Sequence, residues 1–362
     1  MSPRDLRRHA GQLLVAGFDG HTVPSDLKAL AREFDLGGVI LFARNVVDPE
    51  QVADLAREAR SLRRELPLWI SVDQEGGRVA RLKRPFTEWP PMLALGRSGD
   101  EKLAERFARA LATELSAVGI NLDYTPVLDV YTNPKNTVIG DRAFGERAEE
   151  VARFGRIVIR TLQAGGIAAC GKHFPGHGDT VADSHEELPI VEHDPDRIRR
   201  VELVPFKAAI EERVAAIMTA HVLVPAFDDE RPATLSPTLV DGLLKRELGY
   251  GGLVMTDDMQ MKALSARDTI GDSAVGAIAA GCDALLIGNG GQEPQVAALE
   301  AIIHAVEEER LPLKRVEDAM TRHRRVKERF LSGKREHPRT ELDEVIGRGE
   351  HLAIAEEMAR FL

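Results

Sequence analysis

The chain has 362 residues, 43% of them hydrophobic and 29% charged, which is enough apolar material for a large buried core. A net charge of −10, with Lys and Arg scattered and only 5% aromatic residues, argues against nucleic acid as a partner. No stretch approaches the roughly 20 apolar residues of a membrane helix. The apolar run 13–18 is too short for a signal-peptide core and runs into Asp19 without a cleavage site, so the expectation is a cytoplasmic protein with no membrane partner.

Taken in chain order, short apolar runs alternate with longer amphipathic segments. The runs are 13–18, 38–42, 68–73, 121–130, 168–174, 215–222, 252–257 and 284–288. Each is apolar almost throughout rather than at every second position, as strands buried on both faces of a parallel sheet are. The segments between them, such as 101–118, 148–164, 196–213 and 294–308, carry charge on one side and Leu, Ala, Val or Ile on the other. Eight strand–crossover units predict an α/β protein, a (β/α)8 TIM-like barrel. The rival is an open doubly wound sheet, but the first strand–helix turn, Phe18-Asp19-Gly20-His21, lacks a phosphate-binding glycine fingerprint. The Ala- and Gly-rich stretch between the seventh and eighth strands predicts irregularity there. Cys170 and Cys282 lie far apart in apolar surroundings and read as two buried thiols. Past the eighth unit, 312–331 reads as a helix, the stretch around Pro338 as a polar break, and 341–362 as a terminal helix. The expected organisation is a catalytic barrel over 1–332 with a helical tail, 333–362, packed on its exterior.

Barrels of this kind place their active sites at the C-terminal ends of the strands. Four runs end in ionisable groups: the third at Asp73-Gln74-Glu75, the fifth at Lys172-His173, the sixth at His221 and the seventh at Asp257-Asp258. Helix capping or solvated loops could account for one such ending but not for four together. Asp257, held by a buried strand and aimed at the mouth, suits a nucleophile; capping the next helix is its other reading, although Asp258 is the better cap. Asp183 and His185 lie on a loop. An aspartate can fix the tautomer of an imidazole and support its cation, which makes a general acid and base near neutral pH; incidental surface polarity is the alternative. His173 and His177 are spaced like some metal ligands, but Pro175 and Gly176 intervene, and no metal or cofactor is expected. Lys172 and His173 instead read as donors to sugar hydroxyls, with Asp73 as an acceptor and Arg81 and Arg142 as further donors for an acyl oxygen or carboxylate.

These residues closely resemble the bacterial β-N-acetylglucosaminidases of glycoside hydrolase family 3, of the single-domain, cell-wall-recycling kind. The resemblance is carried by Val72-Asp73-Gln74-Glu75-Gly76-Gly77-Arg78-Val79, Gly140-Asp141-Arg142-Ala143-Phe144 and Lys172-His173-Phe174-Pro175-Gly176-His177-Gly178-Asp179-Thr180. It continues through Asp183-Ser184-His185, Pro232-Ala233-Thr234-Leu235-Ser236 and Thr256-Asp257-Asp258-Met259, in family order over about residues 10 to 310. It implies retaining hydrolysis through a covalent glycosyl-enzyme, with Asp257 as nucleophile and His185 as acid/base supported by Asp183. It further implies that Asp73, Arg81, Arg142, Lys172 and His173 hold N-acetylglucosamine. Family members with a second sheet domain draw an acid/base carboxylate from it; this chain has no room for one, which fits the histidine version. The implied substrate is a carbohydrate, an N-acetylglucosaminyl anhydro-muropeptide. A β-glucosidase or broad β-hexosaminidase, a non-catalytic sugar-binding protein and a metal-dependent hydrolase are the competing readings.

Overall fold

Runs that are apolar at every position need a place where both faces of a strand are buried, and a closed barrel ringed by helices supplies it. The computed structural model describes residues 3–181, 187–289, 291–332 and 342–362, so Asp183 and His185 fall outside the described residues. The eight barrel strands are β1 (Leu14–Ala16), β2 (Gly38–Leu41), β3 (Trp69–Val72), β4 (Leu122–Asp123), β5 (Ala168–Phe174), β6 (Ala216–Thr219), β7 (Leu253–Asp258) and β8 (Ala284–Ile287). Each pairs in parallel with the next, and β1 closes the ring on β8 through Leu14↔Leu285 and Ala16↔Ile287. This is the (β/α)8 barrel that the alternation of elements predicts.

Strand parity sorts the side chains into two cores. Val15, Ile40, Trp69, Leu122, Cys170, Met218, Met255 and Leu286 fill the interior. Their neighbours Leu14, Val39, Ile70, Val72, Ile217, Val254 and Leu285 join the helices in the outer core. Both cysteines are buried and unpaired. The helices start where side chains satisfy their first N–H groups: Asp48 accepts from Gln51 before Pro49–Arg60, and Asp100 from Lys102 and Leu103 before Glu101–Ala117.

Three elements depart from expectation for local reasons. Only Leu122–Asp123 of the run 121–130 is regular strand, because Pro126 has no N–H to continue the ladder. The chain still follows β5 irregularly, through Cys170 N–H to the Thr125 carbonyl and Leu128 N–H to the Lys172 carbonyl. The helix expected over 196–213 is two, Pro195–Arg200 and Val204–Glu211, since Pro205 cannot donate back into a continuous helix. The tail contains Leu342–Val345 and Gly349–Ala359, separated at Gly347, whose φ is +60° and whose Cβ would stand 2.1 Å from the Pro85 carbonyl oxygen. One buried carboxylate, Glu114, ties this tail to the helix Glu101–Ala117: it accepts from Gly347 N–H (3.0 Å) and His351 Nδ1 (2.8 Å) as well as from Thr87. The Ala-rich stretch before β8 is broken into Lys262–Ser265 and Ile270–Ala280.

The helix Leu313–Leu331 closes the N-terminal mouth of the barrel, with Val326, Phe330 and Leu331 against the interior core. Beside them Lys327 is fully buried and donates to Gln12 Oε1 (2.9 Å) and to the Gly37 carbonyl (2.8 Å), both neutral acceptors. Burial pushes its ammonium down to about 7, and the nearby Asp35 only partly opposes this. The unfolded chain thus holds this proton up to about pH 10.5 while the folded one releases it near 7, so stability rises with pH between those limits. Urea unfolding of wild type and Lys327→Met should show wild type gaining about 2–3 kcal/mol on the variant between pH 7 and 9. A difference that stays flat over that range would mean that the folded lysine keeps its proton, against the lowering by burial.

Candidate active site

The inward parity of the odd-numbered strands carries the chemistry. Trp69 and Ser71 of β3 point inward, Ser71 Oγ lying 2.9 Å from the Tyr124 hydroxyl, and Asp73 follows in the same phase. On β5 the series is Ala168, Cys170, Lys172, and on β7 it is Leu253, Met255, Asp257. Odd strands of a barrel contribute to the same layers of side chains, so Asp73, Lys172 and Asp257 come to one level at the mouth. β5 shifts register between Gly171 and Phe174, where the Lys172–His173 peptide is cis, and both side chains serve the site.

A charge network organises the floor. Lys172 Nζ sits between Asp73 Oδ1 (2.7 Å) and Glu75 Oε1 (2.5 Å). Arg142 grips Glu75 with two bonds, Nε to Oε2 (2.9 Å) and Nη2 to Oε1 (2.8 Å). Arg81 Nη2 is 3.5 Å from Asp73 Oδ2, and its guanidinium lies over the Phe42 ring. Burial alone would raise the Glu75 carboxyl, but the charges of Arg142 and Lys172 override it and hold the group far below the usual carboxylate range. Burial would likewise release the Lys172 proton; Asp73 and Glu75 reverse that and keep the ammonium charged. The expected donors Lys172 and Arg142 are therefore fixed in charge, and they and the acceptor Asp73 are held in direction before any ligand arrives.

His173 Nδ1 is 2.7 Å from Asp129 Oδ2, and Asp129 also accepts from the backbone N–H groups of His173 and His177. Burial would raise this carboxyl, but His173 and the accepted hydrogen bonds hold it low, so Asp129 accepts and Nδ1–H donates. That leaves Nε2, 3.5 Å from Arg142 Nη2, turned toward the other site residues. His177 is engaged elsewhere: its Nδ1 is 2.6 Å from Thr180 Oγ1, and burial pushes it down to about 4, a neutral ring. Among the described residues, no group of three or more His, Cys, Asp or Glu side chains converges as metal ligands would.

Asp257 accepts from the N–H of Asp258 at Oδ1 (2.8 Å). Burial pushes its carboxyl up, but the imidazoles of His173 and His221, that N–H and the Lys172 ammonium more than offset it, so the group stays ionised at neutral pH. Its neighbour Asp258 is pushed up to about 6 by burial, with the Asp257 charge adding to the effect. The Asp258 side chain accepts from Gln260 N–H and Asn289 Nδ2, so it shapes the turn after β7. Behind it, His221 links Thr234 Oγ1 (Nδ1, 2.8 Å) to the Asp258 carbonyl (Nε2, 3.0 Å). The arrangement is an ionised carboxylate on a rigid strand, facing a set of fixed donors. Such a site can attack an electrophilic carbon and orient a polyhydroxylated ligand. The structure brings Asp73, Arg81, Arg142, Lys172, His173 and Asp257 together; it does not describe Asp183 or His185.

A model of the glycosyl hydrolase family 3 N-terminal domain matches residues 5–326. The chain belongs to glycosyl hydrolase family 3. Among relatives in this family, the β-hexosaminidase of Thiobacillus denitrificans is 41% identical over 260 residues, 70% of this chain and 72% of that one. β-Hexosaminidase A of Pseudoalteromonas piscicida is 38% identical over 287 residues, and the match spans 74% of this chain but only 48% of that longer protein. Among solved structures, a family 3 β-N-acetylglucosaminidase from a Paenibacillus species superposes with a TM-score of 0.94 at 42% identity, over 98% of this chain and 68% of that one. NagZ of Neisseria gonorrhoeae in complex with N-trifluoroacetyl-D-glucosamine gives 0.79 at 32% identity, over 97% and 98% of the two chains. Like its family, this chain is a glycoside hydrolase on a (β/α)8 barrel.

Four polar residues of this site have no role assigned from the sequence: Glu75, Asp129, His221 and Asp123. Charge balance could have found the first, since a buried lysine and arginine require a carboxylate beyond Asp73. Asp129 ends the run 121–130 that was expected to be one strand. Asp123 is fully buried, and that burial pushes its carboxyl well above the ordinary value; Oδ1 accepts from Gln74 N–H, and Oδ2 has no hydrogen-bond partner among the described residues.

Proposed function

We propose that the chain is a retaining exo-β-N-acetylglucosaminidase that removes terminal β-linked N-acetylglucosamine from peptidoglycan-derived muropeptides. The observation that carries this reading is the ionised Asp257 on β7, set among the donors Lys172 and Arg142 and the oriented imidazole of His173. An Asp257 carboxylate oxygen bonds to the anomeric carbon as the bond from that carbon to the aglycone oxygen breaks, and His185 gives the departing oxygen its proton. Water then attacks the anomeric carbon, passes a proton to His185 and frees Asp257. Asp183 supports the histidine, while Asp73, Arg81, Arg142, Lys172 and His173 hold the sugar. The hexosaminidase relatives and the NagZ complex with an N-acyl glucosamine support the N-acetyl sugar. The muropeptide aglycone and the cytoplasm rest on the resemblance to cell-wall-recycling enzymes.

Three measurements test this. A fluorinated N-acetylglucosamine donor should trap a glycosyl-enzyme whose labelled peptide contains Asp257, and nitrophenyl N-acetylglucosaminide should be cleaved far faster than the glucoside; the reverse preference would make the chain a β-glucosidase. Replacing His185 by Gly should slow poor leaving groups by about 100-fold or more while sparing activated aryl glycosides, which depart without a proton. Equal losses on both would remove His185 from the proton transfer.

A further inference from the structure

The segment that carries Asp183 and His185 is bracketed by two described stretches, each tied to a different part of the barrel. On the N-terminal side, Asn136 Nδ2 donates to the His177 carbonyl (2.7 Å), Thr132 Oγ1 to Asp179 Oδ1 (2.7 Å) and Asn133 Nδ2 to the Asp179 carbonyl (2.9 Å). Gly178 lies so close to Val130 that a Cβ there would stand 1.9 Å from its carbonyl oxygen. These contacts fix residues 177–180 to the loop that follows β4. On the C-terminal side, the Pro189 carbonyl accepts from Leu223 N–H (2.8 Å) and Val191 N–H donates to the Leu223 carbonyl (2.9 Å), which fixes this stretch to the chain after β6.

Among the described residues, one hydrogen bond joins the two stretches directly: His193 Nε2 lies 2.5 Å from Asp179 Oδ2. Thr132 already holds the other oxygen of that carboxylate, so its direction is set before the imidazole meets it. A second carboxylate, Glu202, is within electrostatic range of His193; Arg197 holds it at 3.3 Å, and its side chain packs on Gly176. The covalent chain by itself does little to fix this spacing, because the residues between 179 and 193 could reach ~45 Å if extended.

We propose that Asp179–His193 is a positioning clasp, with His193 the positioning residue, that sets the separation of the two ends of the segment bearing His185, a separation on which proton delivery by that residue depends. This rests on the acid/base reading of His185 given above and adds the residues that keep it in place. The clasp acts on proton delivery alone, since neither residue belongs to the sugar-holding set.

The test compares His193→Ala, His193→Gln and His185→Gly on two β-N-acetylglucosaminides, one with a 2,4-dinitrophenyl and one with an alkyl leaving group, with amide hydrogen exchange on each free enzyme. In His193→Ala, kcat on the alkyl glycoside should fall by about 100-fold, with KM and dinitrophenyl turnover little changed. Exchange across 180–190 should accelerate while the barrel strands keep wild-type protection. His193→Gln, whose amide N–H can still donate to Asp179, should recover most of both properties. Equal losses on the two substrates, or exchange unchanged from wild type, would overturn the clasp. If His185→Gly itself showed no leaving-group dependence, the acid/base assignment would fall, and the exchange rates of His193→Ala would still decide whether the clasp exists.

Discussion

Asp257→Ala should lose on the order of 10⁴-fold or more in kcat on aryl N-acetylglucosaminides, because no other group replaces the covalent bond it makes. The effect is on chemistry and not on folding. The wild-type carboxylate is a half-buried ionised group, and its removal relieves a desolvation cost even as it deletes the hydrogen bond from Asp258 N–H. Urea unfolding should therefore show the variant about as stable as wild type, within ~1 kcal/mol. The truncated side chain leaves room for a small anion. Added azide should enter it, attack the anomeric carbon of a dinitrophenyl glycoside and displace dinitrophenolate in one step, giving the α-glycosyl azide. Wild type has its own nucleophile in that place and should give no such product. Substantial turnover of Asp257→Ala without azide, or a β-configured azide, would place the nucleophile elsewhere.

The barrel was legible in the sequence because burial of both strand faces leaves few choices. A run such as 38–42 or 252–257, apolar at adjacent positions, cannot sit at a solvated sheet, and eight of them separated by amphipathic segments close on themselves. What the pattern could not carry was interruption by a single residue. Pro126 turns most of a ten-residue apolar run into irregular chain, and Pro205 and Gly347 each divide what periodicity alone reads as one helix. The strand-end rule placed Asp73, Lys172, His173 and Asp257 at one rim, since those side chains continue an inward parity set by apolar residues. It gave less guidance for residues that act through others. Asp129 matters because it fixes the tautomer of His173, and His221 because it braces the Asp258 carbonyl. Both partnerships span elements far apart in the chain, with no spacing in the sequence to announce them. Glu75 lies two positions after Asp73 and was visible as part of a motif, but its meaning depends on Arg142, which approaches from 67 residues away.

Glu75 is where removal of one carboxylate should cost the fold most. It is 1% exposed and accepts three charge-assisted bonds, two from Arg142 and one from Lys172. In Glu75→Gln the amide keeps the shape, but one of its ends now presents donors to donors. Among the described residues, Arg142 then has no carboxylate ion-pair partner left and Lys172 keeps only Asp73. Breaking one side of a buried ion cluster typically costs about 3–5 kcal/mol, and urea unfolding at pH 7 should show a loss of that size. The pH dependence fixes its origin. The folded carboxyl is held below its ordinary value of 4.5, so its contribution is complete above that pH and is lost progressively as the pH falls below it. The gap between wild type and Glu75→Gln should accordingly be constant from pH 8 to 5 and narrow toward pH 3; a gap that widens in acid would mean that the cluster is not held by an ionised Glu75. Turnover should fall as well, by about 100-fold at a temperature where the variant is folded, because the two donors that hold the sugar lose the group that aims them. Glu75→Asp, which restores the charge but shortens the reach to the guanidinium, should recover part of the stability and little of the activity. Full activity in Glu75→Gln would separate the network from sugar binding and leave Lys172 and Arg142 as a structural pair.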